Sequence, residues 1–454
     1  MKIIVLNGSP KGEISVTMQY VRYIQKSNPS HEFQFLNISH EINGIEREQA
    51  QWQAILEAVQ SSDGVLWATP VYYFLVPSQL KRFIELIWER QAERVFAGKY
   101  AAALITSIHC MDHTAINYLT GISEDLGMRF AGGFTPEMDD LELTRERTNL
   151  LSFAAWFLHA IETGLPTLRS FAPVDYSVGD YRPEGIAEVA KTAGRKVVLV
   201  TDGNDPDSNL ARMITAFRQS LPNPVEVIDL NEVEIRGGCL GCIRCGYDNT
   251  CAYQDGLKRF IREKLIPAGA IIFAGAIRDR YLSSRWKRYF DRSFVFGHTP
   301  YLHGKQIGFI VSGPLRQLPN LRQVFEAYTQ AQQCALAGFA TDEGETKDVT
   351  AGLQALAAKL SWALEHDLQA PPNYLSFGAH LLFRDFIPMN RGIFRADHIF
   401  YKQHGLYQDH HKDLRHRMGS LMLIAMSSVP SLRKELQKQM KSGMIAGLKK
   451  IVDS

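Results

Sequence analysis

Net charge, long apolar runs and cysteine are all scarce in this 454-residue chain. Its 50 Lys and Arg stand against 48 Asp and Glu, so no overall charge points to nucleic acid, a membrane surface or a polyanionic substrate. No uninterrupted apolar stretch approaches the roughly 20 residues of a membrane span. The opening Met1-Lys2-Ile3-Ile4-Val5-Leu6-Asn7-Gly8 breaks too soon for a signal peptide. These absences predict a cytoplasmic protein. Only six cysteines are present, and four of them lie between Cys239 and Cys251. In a reducing compartment such bunching points to metal ligands before disulfides.

What is present is a repeat. Glu32–Asn37 recurs as Glu226–Asn231, and Ser78–Glu85 recurs as Ser284–Asp291. The spacing grows from 194 to 206 residues between the two blocks, which places an insertion in the second copy at Gly237–Cys251. In each copy short apolar runs alternate with amphipathic helical patterns, as in a parallel sheet covered on both faces. Strands are expected near 2–7, 32–37, 64–69, 100–107 and 128–134, and again near 196–201, 225–230, 269–275, 306–312 and 337–341. Five strands per copy, with no G-x-G-x-x-G after either first strand, predict two tandem doubly wound domains of flavodoxin-like order 2-1-3-4-5. The expected division is a domain at 1–170, a linker at 171–194, a second domain with the cysteine insertion at 195–368 and a helical basic extension at 369–454. Residues 373–454 carry 13 Lys and Arg against 6 Asp and Glu, with a late helix near Leu432–Ile451.

In this architecture ligands sit at the carboxyl ends of the strands where the order reverses, flanked by the loops after the first and third strands. The first loop, Asn7-Gly8-Ser9-Pro10-Lys11-Gly12-Glu13-Ile14-Ser15-Val16-Thr17, offers hydroxyls, backbone N–H groups and one Lys at a helix N-terminus, where a phosphate dianion is favoured. The third strand runs into Thr69, Pro70, Val71, Tyr72, Tyr73 and Phe74, whose rings suit a flat aromatic ligand. Thr106 and Ser107, ahead of His109 and Cys110, form the third wall. The corresponding first loop of the second copy carries Asp202, Asp205 and Asp207 instead, which opposes a bound dianion.

Asn7-Gly8-Ser9-Pro10 with the later Ser15 and Thr17, and Thr69-Pro70-Val71-Tyr72 leading into Pro77-Ser78-Gln79-Leu80-Lys81, resemble the NADPH-dependent FMN reductase family of flavodoxin-like proteins. That resemblance implies FMN in the first domain. Ser9, Pro10, Lys11, Ser15, Val16 and Thr17 would lie at its phosphate. Thr69, Pro70, Val71, Tyr72, Tyr73, Phe74, Thr106 and Ser107 would lie along its ring.

The cysteines have the spacing C-x2-C-x2-C-x5-C, which suits all-thiolate ligation of a [4Fe–4S] cluster; zinc and metal-free redox thiols are the alternatives. The segment resembles the compact motif of iron–sulfur flavoproteins, which implies Cys239, Cys242, Cys245 and Cys251 as ligands. Cys334 is expected to be buried and inert, and Cys110 to be either buried or a reactive thiol at the site mouth. The resulting expectation is an FMN-dependent oxidoreductase that moves electrons between NAD(P)H or a protein donor, FMN and the cluster. A quinone or nitro reductase without a cluster and a non-catalytic electron-transfer flavoprotein are the other readings. Partners are expected to be small molecules or redox proteins, or a second copy in a homodimer, but neither nucleic acid nor membrane. No catalytic acid, base or nucleophile is legible.

Overall fold

The structure, a computed structural model, describes residues 1–183, 186, 188–203, 205–297, 299–407 and 414–453. Parts of the linker (184, 185 and 187) and of the C-terminal extension (408–413 and 454) therefore lie outside the described residues. Contacts divide the chain into two compact units. Unit 1 comprises Met1–Pro173, Gly238–Ala252 and Leu382–Ser454, and unit 2 comprises Val174–Gly237 and Tyr253–Leu381. In chain order the cysteine segment interrupts the second copy; by contact it belongs to unit 1.

Unit 1 is built on β1 (Lys2–Asn7), β2 (Glu32–Leu36), β3 (Gly64–Pro70), β4 (Tyr100–Thr106) and β5 (Arg129–Phe134). All pair in parallel, in the order β2-β1-β3-β4-β5. Its helices in the first copy are α1 (Val16–Ser27), α2 (Ile42–Arg47), α3 (Gln49–Gln60), α4 (Ser78–Glu89), α5 (Asp112–Asp125) and α6 (Thr144–Thr163). Alternate strand residues face opposite sides. Ile3, Val5, Leu66, Ala68, Ala102 and Leu104 meet α1 and α6 in one core. On the other side Trp67 donates to Ser123 of α5 at 3.0 Å, and Trp52 of α3 packs on Phe83 of α4.

Unit 2 repeats the plan with β6 (Val197–Thr201), α7 (Asn209–Ser220) and β7 (Val225–Asp229). After the short α8 (Cys245–Asp248) in the cysteine segment come α9 (Leu257–Phe260), β8 (Ala270–Ala276), α10 (Ser284–Ser293), β9 (Gln306–Ser312), α11 (Pro319–Ala331), β10 (Ala335–Thr341) and α12 (Thr346–Glu365). Its sheet order, β10-β9-β8-β6-β7, is the same 2-1-3-4-5 arrangement. Both units are thus flavodoxin-like doubly wound α/β folds. One face of the second sheet packs on α7 and α12. On the other face Phe273 is ringed by Trp286, Tyr289, Phe290, Phe309 and Tyr328 at 5.6–5.8 Å between centroids.

The repeated Ser78–Glu85 block has a structural counterpart. Lys81 and Glu85 form an ion pair at 3.4 Å inside unit 1, with 0% and 3% of their side chains exposed. Lys287 and Asp291 form the same pair inside unit 2, with neither side chain exposed. Such pairs stabilise little in net terms but are costly to break singly.

The extension forms α13 (Tyr374–Met389), α14 (Arg395–Gln403), α15 (Leu414–Ser428) and α16 (Pro430–Asp453). Ile445, Leu448 and Val452 of α16 join the core of α1 and α6, so this helix is an integral part of unit 1. A second small core unites Ile387, Phe394 and Tyr401 with Ile243 of the cysteine segment. Among the described residues no helix is long and apolar enough to cross a membrane.

Candidate functional site

The loop after β1 is shaped by a glycine that nothing larger could replace. A Cβ on Gly8 would come within 2.6 Å of Leu80 Cδ2 and 2.7 Å of Thr69 Oγ1, so the loop lies directly against the end of β3 and the start of α4. Ser9 N–H donates to Asn7 Oδ1 at 3.0 Å, and Asn7 Nδ2 donates to Asn37 Oδ1 at 2.8 Å. Ser9 Oγ accepts from Lys11 N–H at 3.3 Å. Ser15 is the N-cap of α1, its Oγ accepting from Met18 N–H at 3.3 Å. A hydroxyl that accepts still has its own proton to donate, so both serines keep the capacity to meet an anion at the positive end of α1. Thr17 Oγ1 lies 2.6 Å from Thr106 Oγ1, tying the first loop to the end of β4. Pro10 accepts at its carbonyl from the His40 ring, 3.0 Å away, and Lys11 Nζ lies 3.4 Å from Met444 Sδ of α16. Val16 opens α1 and is buried.

After β3 the chain makes a tight turn in which Tyr72 and Leu75 exchange backbone hydrogen bonds. The two residues between them, Tyr73 and Phe74, have φ of 40° and 71°. Left-handed backbone at a residue other than glycine costs roughly 1–2 kcal/mol, and such outliers gather at ligand sites. Thr114 Oγ1 of α5 donates to Phe74 O at 2.5 Å, and the Tyr73 and Phe74 rings stand 4.8 Å apart. Thr69 is fully buried with its hydroxyl donating to Pro70 O at 3.1 Å, while Val71 N–H donates to Thr106 O. The chain segments that follow β1, β3 and β4 are therefore bonded to one another, and the residues proposed for FMN lie on these loops or on the adjoining ends of α1, β3 and β4.

The third wall contains an arrangement that sequence reasoning missed. Ser107 Oγ accepts from His109 N–H at 2.8 Å, and His109 Nδ1 lies 2.9 Å from Asp112 Oδ2. A spacing of three residues offered a helical signal for that pair, but the chain joins them across a loop with left-handed His109 and Met111. Burial, with Asp112, pushes the Cys110 thiol up to about 12, which favours the protonated form over the thiolate.

The cysteine segment completes this face of unit 1. Gln79 Nε2 of α4 donates to Cys239 O at 3.1 Å. A Cβ on Gly238 would overlap Ser78 Oγ and approach Gln79 Cδ to 2.6 Å. A Cβ on Gly241, whose φ is +61°, would overlap the Tyr72 hydroxyl, with Tyr72 Cζ at 2.7 Å and Lys11 Cε at 3.1 Å. Glycine at these two positions is what allows the segment to lie against the start of α4 and the loops after β1 and β3. Ile243 and Asn249 are also left-handed, with φ of 55° and 56°, and Gly241 N–H donates to Cys239 Sγ at 3.4 Å. On its other side Gly246 abuts Phe394, and the Tyr247 ring has Arg433 at 4.3 Å and Arg395 at 5.3 Å from its centroid.

Burial pushes the Cys245 thiol well up, and negative charge on Cys239, Cys242 or Cys251 would push it further. Among the described residues no group of three or more His, Cys, Asp or Glu side chains is gathered as around one metal ion. Thiolates without a cation between them repel, and a multi-iron cluster holds its four sulfurs farther apart than a single ion does. The donor set, all thiol and on a loop with an N–H group turned to sulfur, fits an iron–sulfur cluster.

Unit 2 forms its corresponding loops differently. Asp202 stands where unit 1 has Gly8, and its carboxylate accepts from Trp286 Nε1 at 2.8 Å and from Ser283 Oγ. Burial, more than these bonds, moves that carboxyl above its ordinary range. The turn after β8 has the same left-handed pair as unit 1, here Asp279 and Arg280 in place of two aromatics. Backbone shape is thus common to the two copies, and ligand chemistry is not.

An iron–sulfur flavoprotein of Archaeoglobus fulgidus is 25% identical over 210 residues, 43% of this chain and 93% of that protein. Among solved structures, the flavoenzyme NAD(P)H:(acceptor) oxidoreductase of Paracoccus denitrificans is 19% identical, covering 35% of this chain and 97% of its own, with a TM-score of 0.28. The NAD(P)H:quinone oxidoreductase of Methanothermobacter marburgensis is 15% identical over 38% of this chain and 98% of its own, with a TM-score of 0.30. Residues 1–128, which carry the three bonded loops of unit 1, match the model of the NADPH-dependent FMN reductase family.

Proposed function

We propose that this protein is an FMN-dependent oxidoreductase in which unit 1 holds both the flavin, at the loops after β1, β3 and β4, and a [4Fe–4S] cluster, at Cys239, Cys242, Cys245 and Cys251. The observation that carries the reading is the seating of Gly238 and Gly241 against Gln79, Lys11 and Tyr72, which brings the cysteines to the loops of the family match. FMN accepts a hydride and releases single electrons, which suits it to a one-electron neighbour. Ser9 and Ser15 would donate to its phosphate, Lys11 would balance the charge, and Tyr72, Tyr73 and Phe74 would flank the ring. Reduced nicotinamide is the proposed small-molecule donor, with a protein donor as the other source; the acceptor is a small molecule or a redox protein. Asp202 in unit 2 supports a single flavin per chain.

Anaerobic isolation followed by an absorption spectrum and analysis for iron, zinc and flavin tests this reading. The expected result is about one FMN and about four iron atoms per chain, with iron lost in Cys242→Ala. Equimolar zinc without iron after anaerobic reconstitution would refute the cluster. A quinone or nitro reductase acting through flavin alone, or a non-catalytic electron-transfer flavoprotein, would then remain.

A further inference from the structure

The outer edge of the cysteine segment, turned away from the flavin loops, borders a cleft. Arg244, Asp248 and Thr250 line one wall, and Pro430, Ser431, Arg433, Lys434 and Gln437 of α16 line the other, around a volume of about 440 Å³. Three cations face it against one carboxylate, and that carboxylate is engaged: Asp248 Oδ1 accepts from both Thr250 N–H, at 3.1 Å, and Thr250 Oγ1. Arg433 is held in place by the Tyr247 ring, 4.3 Å from its guanidinium carbon, so one of the three cations is positioned before any ligand arrives. Thr250 and Ser431 add short hydrogen-bonding groups, and the first turn of α16 adds potential of the same sign.

We infer that this cleft is a binding site for a phosphate-bearing small molecule. A volume of this size admits a nucleotide-sized ligand. A planar guanidinium with a second Arg and a Lys suits phosphate oxygens, which Arg pairs with in bidentate fashion. Arg244 is adjacent in sequence to Cys245, and Thr250 to Cys251, so a ligand here would touch the cysteine segment from the side opposite Tyr72. Its role as an electron partner rests on the proposed redox function; its binding does not. A phospholipid headgroup presents the same chemistry, and Met418, Leu421 and Met422 of α15 are 65%, 57% and 68% exposed in the helix that precedes α16, so the test separates the two sources.

The experiment is calorimetric titration of the full chain with inorganic pyrophosphate at fixed ionic strength. Saturable binding at one site per chain is expected, weakened at least tenfold by Arg433→Gln and by Lys434→Gln. Arg145→Gln, which removes the same charge from a side chain 88% exposed elsewhere, should leave it unchanged. Folding of each variant is checked by its melting temperature. Sedimentation with vesicles of phosphatidylglycerol is run beside it: binding abolished by both Arg433→Gln and Met422→Ser identifies a lipid headgroup as the phosphate source, and absence of vesicle binding identifies a soluble one. Absence of pyrophosphate binding, or equal weakening by Arg145→Gln, overturns the site without affecting the flavin and cluster assignments, which are read from the spectrum.

Discussion

Gly241→Ala separates the contact between the cysteine segment and the aromatic loop from everything else in unit 1. Two costs arise at one position. The backbone there has φ of +61°, which alanine adopts at a penalty of about 1–2 kcal/mol. The new methyl would also overlap the Tyr72 hydroxyl and reach within 2.7 Å of Tyr72 Cζ, an overpacking worth about 1–3 kcal/mol. Together they amount to roughly 2–5 kcal/mol, and at about 2–4 °C per kcal/mol for a unit of about 260 residues the melting temperature should fall by about 4–20 °C. Replacing Tyr72 by Ala removes the second cost and leaves the first. In that background Gly241→Ala should lose only about 1–2 kcal/mol, and the difference between the two losses is the coupling of the two positions. Scanning calorimetry of the parent, both single variants and the double variant measures it. Equal losses in the two backgrounds would show that the segment does not rest on Tyr72, and the argument for a shared site would fail with it.

Ser15→Ala removes the cap of α1 and should cost about 1 kcal/mol and lower the flavin content. Ser208→Ala removes the matching cap of α7, whose Oγ accepts from Ala211 N–H at 3.2 Å, and should cost a similar amount with flavin unchanged by extraction and absorbance. Lys287→Met leaves Asp291 buried without its charge partner and should destabilise unit 2 by about 3–5 kcal/mol in urea titration; Lys287→Met with Asp291→Leu should recover most of that loss, and no recovery would contradict the pairing. Burial raises the Asp202 carboxyl above its unfolded value near ~4, so its contribution to stability is complete below that pH and is lost as pH rises through the raised value. Asp202→Asn does not titrate and should therefore gain stability relative to the parent from acidic to neutral pH; a constant difference across that range would show that Asp202 does not titrate abnormally.

Periodicity was sufficient for the two sheets, because alternation of apolar residues is a local property of each strand: 64–69 as expected became Gly64–Pro70, and 306–312 became Gln306–Ser312. The duplication, the absent dinucleotide fingerprint and the three loops at the switch point were equally legible, since strand order dictates which loops meet. Other features depend on residues distant in the chain. Nothing in the four-residue spacing of Lys81 and Glu85 marks them as buried; the packing around α4 decides that. The turn at Tyr73 and Phe74 contains no glycine to announce its left-handed backbone, which the Tyr72–Leu75 pairing and Thr114 hold in place. The extension reads as helical and basic, and only packing shows that α16 completes the core of unit 1 through Ile445, Leu448 and Val452. The spacing of the cysteines belonged to the sequence alone. Their place in unit 1 was decided by tertiary structure, because Gly238 and Gly241 permit a close approach to Gln79 and Tyr72 that depends on how distant segments pack.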